Sequence, residues 1–78
     1  MEPDWADVKG KLLSLTVKQL RAIGRRWFNG SLGGASSKRE IAGEMVSCMR
    51  HWWHLADDLG KPRVRNVLKD LADALECS

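Results

Sequence analysis

Two helix-start signals set twenty-one residues apart constrain this chain more than any other feature. In Thr16-Val17-Lys18-Gln19 the threonine side chain can accept from the backbone N–H of the third helical residue while Gln19 reaches back, a capping box. Ser37-Lys38-Arg39-Glu40 repeats the device. Between them Val17, Leu20, Ile23 and Trp27 fall on one side of a 3.6-residue turn, with Phe28 at its edge. Lys18, Arg21 and Arg25 lie along a different side, flanked by Arg26. The spacing predicts a helix over about 17–28, stopped at Asn29-Gly30, a glycine-rich loop over 29–36 with Leu32 turned back to the core, and a second helix from about residue 38.

The remaining stretches carry the same period. Pro3 or Asp4 opens a first helix with Trp5, Val8, Leu12, Leu13 and Leu15 on its apolar side. The helix from 38 is predicted to run to about 59, because Ile41, Met45, Cys48, Met49, Trp52, Leu55, Ala56 and Leu59 keep step for nearly six turns. Trp52 and Trp53 point about 100° apart, so burying both requires neighbours on two sides. Gly60 and Pro62 read as the stop of that helix, and a last helix follows over about 63–76 with Val64, Val67, Leu68, Leu71 and Leu75 inward. No segment alternates like a strand. A chain of 78 residues buries only about 60% of its unfolded surface, so each of these faces is needed, and four Trp supply much of the area. The expected fold is all-α, a small four-helix domain over 1–78.

Charge is distributed unevenly. The net charge is +3, but residues 16–39 sum to +6 with no carboxylate, while 40–60 sum to −3. Cations also sit at helix starts, Lys38 and Arg39 in one and Arg63 and Arg65 in another, with Asp57, Asp58, Asp70, Asp73 and Glu76 later, against the helix dipole. Free N–H groups at the start of the helix from 38, the glycines before it, the Ser36 and Ser37 hydroxyls, and Lys38 with Arg39 favour a bound phosphate.

Several chemistries are set aside. Ser37-Lys38-Arg39 lacks the Gly before and the hydroxyl after the Lys that a nucleotide P-loop requires. His51, His54 and Asp58 share a face with Cys48 one turn earlier, but one helix rarely supplies four tetrahedral ligands, and His54 with Asp58 reads as a local polar pair. No nucleophile–base pattern is recognisable, so neither an enzyme nor a metal or other cofactor is expected. Cys48 and Cys77 are too few for a secreted disulfide framework, and the acidic N-terminus lacks the apolar run of a signal peptide or membrane span. The expected location is intracellular.

Residues 15–46 resemble the SAP domain, a helix–extended loop–helix module, and more loosely its LEM and HeH relatives. The resemblance lies in Leu15-Thr16-Val17-Lys18-Gln19-Leu20-Arg21, in Gly30, Leu32 and Gly34, and in Ser37-Lys38 followed by Ile41 and Met45 or Val46. It implies a DNA-contacting surface built from Lys18, Arg21, Arg25, Gly34, Ser37 and Lys38. The chain departs from that pattern in its longer loop, in Trp27-Phe28, and in the length of the helix from 38.

The expected function is therefore binding of nucleic acid, duplex DNA favoured, through phosphates and with little sequence preference. Lys18, Arg21, Arg25, Arg26, Lys38 and Arg39 would neutralise charge, and Gly34, Ser36 and Ser37 would present backbone and hydroxyl groups. Asn29 is almost the only base-reading amide nearby. Two competing readings remain: a protein-interaction module anchored by Trp53 beside the basic face, and a homodimer through the wide stripe of the third helix.

Overall fold

A computed structural model describes residues 2–28, 37–55 and 59–77. Four α-helices follow one another: α1 (Trp5–Leu13), α2 (Val17–Trp27), α3 (Lys38–His54) and α4 (Gly60–Cys77). The chain is an all-α domain, and among the described residues there is no strand. No helix among the described residues is long and apolar enough to cross a membrane.

Local chemistry sets where the first three helices begin. Asp4 caps α1 by accepting from the amides of Ala6 and Asp7. Thr16 accepts from the Gln19 amide at 3.1 Å while Gln19 Oε1 takes the Thr16 amide at 2.9 Å, so the predicted capping box is formed. Ser37 Oγ accepts from the Glu40 amide. Each such cap is worth about 1 kcal/mol over an alanine in its place.

α3 is the central element, touching each of the other three helices. Ile41, Ala42, Met45, Val46, Met49 and Trp53 form its buried face. Val8 and Leu12 of α1, Leu15 just beyond it, Leu20 and Ile23 of α2, Phe28, and Val64, Val67 and Leu71 of α4 complete one core cluster. Both tryptophans of the Trp52-Trp53 pair are used, on two sides as their angle required. Trp53 meets Trp5 of α1 edge to face at 6.5 Å, and Trp52 stacks on Phe28 at 5.0 Å.

The structure corrects three expectations. α3 ends at His54 rather than near residue 59: Leu55 leaves the helix with extended backbone, and Leu55 and Leu59 are exposed rather than in the stripe. Ala56, Asp57 and Asp58 lie outside the described residues. Gly60 and Pro62 do not end α3; they open α4. Proline suits a first turn, where the N–H it lacks would have no intrahelical acceptor. Gly60 is there because the chain turns tightly: a Cβ at this position would collide with the Trp52 carbonyl. Val17 is 40% exposed because the core stripe of α2 starts a turn later, at Leu20. The expected pair of His54 with Asp58 falls on a residue outside the described ones. Among the described residues, His54 Nε2 lies 3.2 Å from Glu2 Oε2, which also accepts the Trp5 indole N–H at 2.6 Å.

Candidate nucleic-acid interface

α2 carries the highest contrast between faces of any helix here. At 100° per residue, Lys18, Arg21 and Arg25 fall within about 60° of one another, opposite the arc that holds Leu20, Ile23 and Trp27. All three cations are exposed. No carboxylate occurs within α2, and none of the three forms an ion pair with a described residue.

Arg26 stands apart from them. It lies on the flank of α2 that α4 closes, where its Nη1 donates to Asp70 Oδ2 at 3.0 Å. The same oxygen accepts the Trp27 indole N–H at 2.6 Å. The Trp27 hydrogen bond, followed by that of Arg26, holds the Asp70 carboxyl below the usual carboxylate range despite partial desolvation. Gln19 shares this flank and donates to the Ala74 carbonyl at 3.4 Å. The pairs Gln19–Ala74 and Arg26–Asp70 run in opposite order along the two helices, so α2 and α4 lie antiparallel.

The second part of the expected site is the start of α3. Ser37 is its N-cap, with the oxygen committed to the Glu40 amide, and its hydroxyl proton donates to no described residue. Lys38 is half-buried and Arg39 exposed, and neither forms an ion pair with a described residue. Gly34 and Ser36, also in the expected set, and Asn29 lie outside the described residues.

The cations that open α4 have other occupations. The Arg63 guanidinium lies 4.3 Å from the Trp52 ring centre, and its Nη2 donates to the Trp27 carbonyl at 2.7 Å, satisfying one of the acceptors that the end of α2 leaves open. Lys61 and Arg65 each stand 5.7 Å from the Trp53 ring. The reversed dipole order of α4 thus has an internal explanation: its cations face aromatic rings and a helix C-terminus. Sequence reasoning missed both this use of Arg63 and the part played by Asp70, because the hydrogen-bond partners lie 36 to 44 residues away along the chain and the Trp52 ring lies across the α3–α4 turn.

The set-aside chemistries have their own geometry. Burial pushes the Cys48 thiol up, with the Glu44 carboxylate adding to it, the opposite of an activated thiolate. Among the described residues, no three His, Cys, Asp or Glu side chains converge as a metal would need. Trp53 is only 7% exposed, and of the stripe expected to serve a dimer Ile41, Met45 and Met49 are buried in the chain's own core while Leu55 and Leu59 are exposed. Comparison with family models, with curated proteins and with solved structures finds no match for the chain.

Proposed function

We propose that this domain binds nucleic acid, with duplex DNA the favoured form, through the outer face of α2 and the start of α3. The observation that carries the reading is the state of Lys18, Arg21 and Arg25: three cations on one exposed face with no carboxylate in their helix and no ion pair to a described residue. Three like charges on neighbouring turns repel one another by a few tenths of a kcal/mol per pair. An anionic partner turns that repulsion into attraction. Lys38, Arg39 and the Ser37 hydroxyl at the start of α3 supply further donors for phosphate.

Contacts of this kind read the backbone and not the bases, so the domain binds duplexes of different sequence about equally. Its working location in this reading is wherever such polyanion is found inside a cell. The resemblance of residues 15–46 to the SAP module points the same way, through Lys18, Arg21, Arg25, Ser37 and Lys38. The protein-interaction reading loses its anchor with Trp53 buried, since a side chain packed on Trp5 offers a partner little surface.

Gel retardation of a random-sequence duplex over a range of salt tests the proposal. With about four phosphates neutralised, log affinity falls with log salt at a slope of about −3 to −4. Absence of retardation at low salt, or a slope near zero, would overturn it.

A further inference from the structure

Asp70 is one of two described carboxylates that accept an indole N–H, the other being Glu2, and it is the one of the two that takes an arginine. It is anchored rather than swinging free, because the Trp27 indole N–H holds its Oδ2 at 2.6 Å, and its side chain is 22% exposed. From that fixed position it takes Arg26, whose own side chain is 68% exposed and otherwise free to turn outward. A shallow recess of about 300 Å³ between α2 and α4 is lined here by Ala22, Ile23, Arg26, Asp70 and Asp73. Two carboxylates therefore border the cationic face along its α4 flank. Arg21 is the member of the face that leans away from this flank.

We infer that Asp70 sets the edge of the polyanion interface, withholding Arg26 from phosphate and keeping a bound duplex on the side of α2 away from α4. The inference rests on the nucleic-acid reading above and adds to it a direction. A phosphate approaching Arg26 must displace a carboxylate that a second hydrogen bond keeps in place, and it meets the Asp73 charge in the same recess. Phosphates approaching Arg21 and Arg25 meet no described acid on α2. The interface is thus bounded on one side by acids, and it ends one residue short of the arginine run that the sequence presents.

The test is a four-way comparison of wild type, Asp70→Asn, Arg26→Gln and the double variant, each titrated with random-sequence duplex at several salt concentrations. The amide introduced by Asp70→Asn keeps a carbonyl oxygen to accept the Trp27 N–H, and far-UV circular dichroism checks that the helices are retained. Freeing Arg26 adds one phosphate contact, so Asp70→Asn steepens the salt slope by about 0.9 and tightens binding at low salt. Arg26→Gln leaves wild-type binding unchanged and cancels the gain made by Asp70→Asn, a coupling between the two sites. A mere net-charge effect would instead make Arg26→Gln weaken binding equally in both backgrounds. That result, or an Asp70→Asn slope equal to wild type, overturns the inference while leaving the nucleic-acid reading intact. Failure of wild type to bind the duplex overturns that reading and this inference with it. Should Asp70→Asn cost the fold, Arg26→Gln alone still decides, since weakened binding contradicts a withheld Arg26.

Discussion

The cations in the first turns of α4 and those on the outer face of α2 look alike in a sequence and differ in their surroundings. Arg63 lies over the Trp52 ring and donates to the Trp27 carbonyl at the end of α2, while Lys61 and Arg65 stand over Trp53. Lys18, Arg21 and Arg25 have neither a ring nor a described carboxylate as partner. The first group holds two helix ends together; the second has no partner among the described residues, and it is the group on which the proposed interface rests. Local density of charge therefore does not report function. What reports it is the balance left after internal partners are assigned, and Arg26, bound to Asp70, marks the boundary between the two groups.

The comparison breaks most easily at α2. Reversing Arg21 and Arg25 to Glu is expected to weaken duplex binding about a hundredfold, taking each reversed contact as roughly tenfold, about 1.4 kcal/mol. Urea denaturation of the same variant should shift by no more than about 0.5 kcal/mol, as befits exposed positions. Unchanged binding by that folded variant would remove the assigned surface.

At α4 the expected effects have the opposite character. Gly60→Ala forces a Cβ against the Trp52 carbonyl and disturbs the ground on which the α4 cations stand. Its expected cost is about 2–3 kcal/mol in chemical denaturation, as for other steric insertions into packed sites. Arg63→Ala loses a ring contact and a charged hydrogen bond, both partly solvated, for about 1–2 kcal/mol, with duplex affinity unchanged. A loss of affinity without loss of stability in Arg63→Ala would merge the two groups and break the distinction.

The smallest effect concerns pH. Asp70 has a folded pKa below its unfolded value, so its ionised form adds stability above the unfolded pKa of about 3.9. That contribution is lost as pH falls through the lower, folded value. Melting temperature measured from pH 6 down to pH 2 should therefore drop less for Asp70→Asn than for wild type. Equal drops would mean that the carboxylate adds nothing to the α2–α4 contact.

Much of the fold was legible because helix starts are written locally. Thr16 with Gln19, and Ser37 with Glu40, announce α2 and α3 by chemistry that spans only three residues. The stripes Leu20–Ile23, Ile41–Met45–Met49 and Val64–Val67–Leu71 identified buried faces for the same reason. The α3–α4 junction was misread because Gly and Pro punctuate a chain without saying on which side the helix lies. Gly60 is explained by the Trp52 backbone and Pro62 by the first turn of α4, and neither is visible before the helices pack. At the candidate site, the exposed face of α2 follows from periodicity. The diversion of Arg26 to Asp70 and of Arg63 to Trp52 and Trp27 does not, because it depends on α2 and α4 meeting antiparallel.

The most direct test is an amide chemical-shift titration of the full chain with a short random duplex. Shifts concentrated at Lys18, Arg21, Arg25 and residues 37–39, with Lys61, Arg63 and Arg65 undisturbed, are the predicted result. Shifts centred on the first turns of α4, or none at saturating duplex, would contradict the division of the two cationic groups on which this account stands.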